Sequence, residues 1–129
     1  MLDVALLPGG YVVCRLPAGT ALPPKVWSDL GAGDVVTVSW TADGLSLICP
    51  ADRVPAQAVV ETHWRCLRIV DPLDLALTGT LAALIEPLAR ARVNVVAFST
   101  YDTDHVLVPT VRLAEATGAL ERAGHRVHR

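Results

Sequence analysis

The side chains able to do chemistry in this chain crowd into one polar stretch. Between the apolar runs Val93–Phe98 and Val106–Val108 stand Ser99, Thr100, Tyr101, Asp102, Thr103, Asp104 and His105 in unbroken succession. A turn needs one or two such residues for its own geometry, so this run holds a surplus. Asp102 and Asp104 offer carboxylates two residues apart, with hydroxyls and a phenol beside them. Carboxylates of this kind hold an ammonium or a basic side chain through charge-assisted hydrogen bonds. The β-branched runs on either side predict two strands joined by a hairpin.

A second stretch has the opposite preference. Leu77, Thr78, Gly79 and Thr80 precede a helical pattern in which Leu81, Leu84, Ile85 and Leu88 share a face. The start of a helix exposes unpaired amides and a partial positive charge, and a glycine there lets a ligand approach the backbone. An anion site beside a cation site suits a zwitterionic amino acid. Its α-carboxylate would meet the Gly79 and Thr80 amides, and its ammonium or basic side chain would meet Asp104 or Asp102. The plain alternative is that Thr78 only caps the helix, Asp102 only turns the chain and Asp104 is only solvated.

Other chemistries find little support. Asp104 and His105 are neighbours on a predicted strand and so point to opposite faces, and no Gly-x-Ser-x-Gly elbow is present. Catalysis is therefore not expected. His125-x-x-His128 has poor strand geometry for a metal and reads as two exposed histidines near a fraying terminus. No metal or cofactor is expected. Trp27, Trp40 and Trp64 read as core or subunit-interface residues, because no basic groove accompanies them for base stacking.

The elements that must position these residues are legible in outline. His63–Val70 reads as a strand with Trp64, Cys66 and Arg68 on one face and Leu67 and Ile69 on the other. A helix follows from Thr78 or Thr80, its cap, to about Ala91. Pro87 violates that helix, since an interior proline removes a hydrogen bond and costs about 3 kcal/mol. The hairpin, a helix over Leu113–Ala123 stopped by Gly124, and a short strand from His125 to His128 complete a β-α-β-β-α-β order. This is the ferredoxin-like split βαβ unit. The first half reads as a degenerate copy: strands over Leu2–Gly10 and Tyr11–Leu16, a short helix from Pro23 to Gly31, and a hairpin of Val35–Trp40 with Leu45–Cys49. Asp43-Gly44 is expected to supply positive φ in its turn. Pro50–Gln57 holds at most one helical turn, with Asp52 a possible cap. The predicted fold is α+β, with two tandem ferredoxin-like modules over residues 1–60 and 61–129, helices on one face of antiparallel sheets.

Composition fits such a fold. The 129 residues are 52% hydrophobic and 5% aromatic, so the core must be built from Val, Leu and Ala. The mean hydropathy is +0.42, yet no apolar run reaches the roughly 18 to 20 residues of a membrane span. The N-terminus lacks a basic secretion-signal region, and a soluble, cytoplasmic protein is expected. A net charge of −2 and scattered basic residues argue against nucleic acid. Cys14, Cys49 and Cys66 lie in apolar runs at wide spacing and read as reduced core residues.

The run Leu77-Thr78-Gly79-Thr80-Leu81 followed by Ala97-Phe98-Ser99-Thr100-Tyr101-Asp102-Thr103-Asp104-His105-Val106-Leu107-Val108 resembles the small bacterial ACT-domain proteins. It is similar to the ACT modules of the CASTOR arginine sensors and of aspartate kinases. Leu7–Leu16 and Gly44–Pro50 extend the resemblance over nearly the whole chain. It implies paired ACT folds that bind an amino acid between modules, through Leu77, Thr78 and Gly79 and through Thr100, Tyr101, Asp102 and Asp104. In the arginine sensors the aspartate matching Asp104 contacts the ligand. The chain carries no kinase domain, so the resemblance implies a sensor or regulatory subunit, a homodimer supplying four modules, and a separate protein partner. The rival expectation is an assembly module whose same surface meets protein and never a small molecule.

Overall fold

The computed structural model describes residues 1–70 and 78–129. The chain divides into two compact units, Met1–Leu7 with Trp64–Arg129, and Pro8–His63. The first is called the helical unit and the second the inserted unit.

The helical unit is built on the strands β1 (Asp3–Leu6), β5 (Val59–Ile69), β6 (Val96–Ser99), β7 (Asp104–Pro109) and β8 (Arg126–His128), β5 belonging to it from Trp64 onward. Helix α1 (Thr80–Arg90) joins β5 to β6, and α2 (Leu113–Arg122) joins β7 to β8. The order β5-α1-β6-β7-α2-β8 is the predicted split βαβ unit. One strand is added. β1 lies between β5 and β8, antiparallel to the first and parallel to the second. Val4 opposite Ile69 and Val127 gives it an apolar contact on both sides. The N-terminal strand expected to open a first module thus pairs within the helical unit.

The alternation predicted for β5 holds. Leu67 and Ile69 join Val4, Val106 and Val108 under Leu84 and Leu88 of α1 and Ala116 and Leu120 of α2, all buried. Leu81 and Ile85 pack on the edge of that cluster. The helices run antiparallel. Arg112, just before α2, donates to the Ala91 and Arg92 carbonyls at the end of α1. His125, just after α2, reaches the Ala83 carbonyl in the first turn of α1.

α1 continues through Pro87 without ending. Proline leaves the Ala83 carbonyl without its amide donor, and His125 Nε2 stands 3.0 Å from that oxygen. His125 Nδ1 accepts from the Leu2 amide at 3.1 Å. The expectation that His125 is exposed near a frayed end is therefore corrected, because the ring is only 9% exposed and fills two backbone vacancies.

The inserted unit holds β2 (Tyr11–Leu16), β3 (Thr37–Thr41) and β4 (Gly44–Pro50), with β4 antiparallel to both others. The helix expected over residues 23–31 is only a 3-10 turn, Pro24–Val26. Prolines at its start, glycines at its end and Asp29 at φ +52° leave no run for an α-helix. Arg53 holds this loop instead, donating to the carbonyls of Lys25, Ser28 and Asp29 at 2.6 to 2.9 Å. A second 3-10 turn, Ala51–Arg53, begins at Pro50 rather than at an Asp52 cap. No α-helix occurs among the described residues of this unit.

The β3–β4 hairpin forms with Thr41 opposite Gly44, but neither Asp43 nor Gly44 takes positive φ. Glycine is needed there for space. A Cβ on Gly44 would lie 3.1 Å from Arg15 Nε and 3.2 Å from the Leu16 carbonyl. The three cysteines are buried and reduced, as expected. Trp40 and Trp27 are not core residues, at 70% and 54% exposed.

Candidate functional site

Ser99 and Asp104 face each other as the last pair of the β6–β7 ladder. Asp104 shares strand parity with Val106 and Val108, so its carboxylate lies on the helix side of the sheet. The Ser99 hydroxyl donates to Asp104 Oδ1 at 2.5 Å. That bond orients the carboxylate and leaves Oδ2 without a hydrogen-bond partner among the described residues.

Between them, Thr100 to Thr103 make a tight turn, with the Thr100 amide donating to the Thr103 carbonyl at 2.9 Å. Tyr101 and Asp102 occupy its corners and are exposed, Tyr101 at 83%. The Thr100 hydroxyl is spent inside the turn, 3.3 Å from the Thr103 carbonyl. Thr103 is buried, and its hydroxyl donates to the Ile69 carbonyl at 2.9 Å. This bond ties the hairpin to the end of β5. Sequence reading passed over Thr103, although a threonine between two aspartates is the turn residue best able to anchor inward.

The start of α1 belongs to the same end of the sheet. Val70 donates to the Asp3 carbonyl there, and the adjacent Leu2 amide is held by His125, which also holds Ala83 in the first turn of α1. Gly79 precedes the helix at φ +79°, a conformation that favours glycine, and a Cβ there would meet nothing within 4 Å. No side chain among the described residues caps α1, so neither Thr78 nor Thr80 does so. Among the described residues the first-turn amides are thus free of a side-chain acceptor. Thr78 and Gly79 are exposed and Thr80 is half-buried. Leu77 lies outside the described residues. The structure brings Thr78–Thr80 and the Ser99–Asp104 turn to one end of the sheet, with no hydrogen bond joining them among the described residues.

Chemically, this end of the sheet offers backbone donors on one element and an oriented carboxylate on another. The described residues contain no group of three potential metal ligands. A groove of about 290 Å³ lined by Pro87, Arg90, Ala119 and Arg122 runs between the helices, away from these residues. Within the inserted unit, a cavity of about 320 Å³ is lined by Gly9, Asp34 and Asp52. No helix among the described residues is long and apolar enough to cross a membrane.

Comparison with known proteins adds the family. The ACT domain profile matches residues 59–122, from the start of β5 to the end of α2. A crystal structure of an Agrobacterium tumefaciens protein is similar at a TM-score of 0.86 and 31% identity, covering 99% of this chain and 96% of that one. A Vibrio cholerae protein described as a possible transport protein gives a TM-score of 0.71 at 20% identity, covering 95% of this chain and 89% of that one. The regulatory subunit of aspartate kinase from Thermus flavus gives 0.64 at 14% identity, covering 93% and 95%. No curated protein matches the sequence. The mixed α+β, ferredoxin-like fold and the profile match from β5 through α2 agree: residues 59–122 of this chain belong to the ACT domain family.

Proposed function

We propose that this protein is a non-catalytic regulatory sensor that binds a free amino acid. The α-carboxylate is taken by the amides at the start of α1, around Leu77, Thr78, Gly79 and Thr80. The ammonium or a basic side chain is taken by Asp104, with Thr100, Tyr101 and Asp102 around it. One observation carries this reading. An uncapped helix start and a carboxylate oriented by Ser99 stand at the same end of one sheet. Charge-assisted hydrogen bonds to both ends of a zwitterion would then come from rigid elements.

The resemblance to regulatory subunits of aspartate kinase supports the regulatory role. By the same reading, residues 61–129 form an ACT module and residues 1–60 a reduced one. Two copies associate as a homodimer in the cytoplasm, and the ligand sits where modules meet and biases contact with a separate protein. A ligand shifts such an equilibrium only by its differential affinity for the two states.

A thermal-shift screen of the purified chain against the common amino acids tests this. A ligand at 100 times Kd adds about 2.7 kcal/mol, a rise of several degrees for a domain of this size. A saturable rise with one amino acid or one class of them is expected. Silence across the panel at millimolar concentration overturns the sensor reading. The exposure of Trp27 and Trp40 then favours the alternative, an assembly module that meets only protein.

A further inference from the structure

The face of the helical sheet that turns away from α1 and α2 carries a second polar cluster. The strand registers place His128, Ala5, Arg68, His105 and Phe98 in one row across β8, β1, β5, β7 and β6. Arg68 sits in an inner strand, half-buried, and no carboxylate or carbonyl among the described residues pairs with it. Directly opposite, His105 is 4% exposed and stacks on Phe98, the rings 4.8 Å apart and inclined by 5°. Its Nδ1 is buried and has no hydrogen-bond partner among the described residues.

A protonated His105 would face the Arg68 charge on the adjacent strand, which is unfavourable, and a buried nitrogen without a partner carries its desolvation cost uncompensated. The nearby acids do not correct this. Asp104 precedes His105 on the same strand and so projects to the helix side. Asp3 is engaged farther along the sheet, with His128 Nε2 at 3.0 Å and Arg126 Nη1 at 3.5 Å from its Oδ1. β1 and β6 present only Ala5 and Phe98 in this row. Among the described residues the cluster lacks a negative group.

We propose that Arg68 and His105 form an oxyanion site for the carboxylate or phosphate group of a small molecule. The planar guanidinium offers paired donors to two oxygens. His105 Nδ1–H supplies a third donor, and the Phe98 ring fixes the imidazole plane. The anion also removes the repulsion between the two bases, so the ring takes up a proton more readily when the anion is bound. Burial and the Arg68 charge now push His105 below its ordinary value, against a smaller upward pull from Asp104. The site stands on the opposite face from the amino-acid site, and its success or failure is independent of that reading.

The test follows the His105 imidazole by NMR through a pH titration of the full chain. Inorganic phosphate or acetate is compared with chloride at equal ionic strength. Saturable changes at His105 and Phe98, with the His105 midpoint moving upward, are expected. Arg68→Gln weakens the apparent affinity about tenfold or more, while Arg68→Lys keeps part of it. Absence of a saturable change in the wild-type chain overturns the site, and this outcome does not depend on whether a variant folds. An undiminished response in a folded Arg68→Gln protein overturns it equally.

Discussion

His125 stands where the amide of Pro87 would have been: its Nε2 lies 3.0 Å from the Ala83 carbonyl, the acceptor that the proline leaves empty. The geometry requires a neutral ring with its proton on Nε2, because Nδ1 accepts from the Leu2 amide. His125 therefore joins α1, the N-terminal strand and β8 at one point. His125→Ala leaves a donor and an acceptor unpaired and is expected to cost about 1–3 kcal/mol. In a Pro87→Ala background the restored amide takes over Ala83, so the same histidine substitution should cost about 0.5–1.5 kcal/mol less. Urea midpoints of the four proteins measure that coupling. Strictly additive effects would show that the two residues act separately.

Gly44 is required by contact, not by conformation. A Cβ would meet the Leu16 carbonyl at 3.2 Å, and backbone cannot swing aside as the Arg15 side chain can. Arg15 also donates to the Asp43 carbonyl at 2.9 Å, a bond that the displaced guanidinium would lose. Gly44→Ala should destabilise by about 1–2 kcal/mol, read as a lower urea midpoint at unchanged slope. A variant as stable as the wild type would show that the β2–β4 pairing yields easily.

These two residues also show what sequence reading reaches. The pattern of Leu67 and Ile69 against Cys66 and Arg68 predicts β5 and its two faces, since alternation follows from strand geometry alone. The Ser99–His105 run marks the hairpin correctly because turn chemistry is local. Pro87 signals trouble in α1, but its remedy comes from a residue close to the C-terminus, and such contacts leave no local trace. The degenerate first half misleads for a related reason. Pro23-Pro24 opens a helix by local rules, yet Arg53 holds the segment as a loop through three carbonyls. Gly44 fits a turn motif, while the atoms that demand a glycine lie on β2. At the candidate site, Asp104 is legible by charge. Its orientation by Ser99 needs the ladder register to be seen.

The cysteines should be inert in the folded protein. Burial pushes the Cys49 and Cys66 thiols up to about 12 and raises Cys14 as well, so almost no thiolate exists at neutral pH. An aromatic disulfide reagent such as DTNB should leave all three unreacted in buffer and titrate all three after urea unfolding. Rapid reaction of any one in buffer would reveal local opening of the strand that carries it.

Stability should fall in mild acid. Burial, and then the Arg68 charge, hold His105 below the ordinary imidazole value of 6.5. As pH drops through that value the unfolded chain binds a proton that the native ring still refuses. The unfolded state then holds more protons, and unfolding becomes easier until the native ring also protonates. Asp3, lowered from 3.8 by its hydrogen bond to His128, acts in the same direction only in a more acidic window. The urea midpoint should therefore fall between about pH 7.5 and pH 5.5, in chloride buffer without added oxyanion. His105→Leu should flatten that slope. A variant with the wild-type slope would assign the loss to other groups.

Asp104 decides whether the candidate site holds a cation. Ser99 occupies Oδ1 at 2.5 Å, which orients the carboxylate and leaves Oδ2 without a hydrogen-bond partner among the described residues. Asp104→Asn preserves an acceptor for Ser99 but removes the charge, while Asp104→Ala removes both. The Ser99 pair is exposed, so either variant should change stability by less than about 1 kcal/mol. Ligand stabilisation should respond far more, because a hydrogen bond to a charged group is worth about 1.5–3 kcal/mol, roughly ten- to a hundredfold in Kd. Ser99→Ala leaves the charge but frees its orientation, and its loss should be smaller. Calorimetric titration of the stabilising amino acid into the three variants ranks them. A wild-type Kd in Asp104→Ala would move the ammonium to Asp102 or away from this turn altogether.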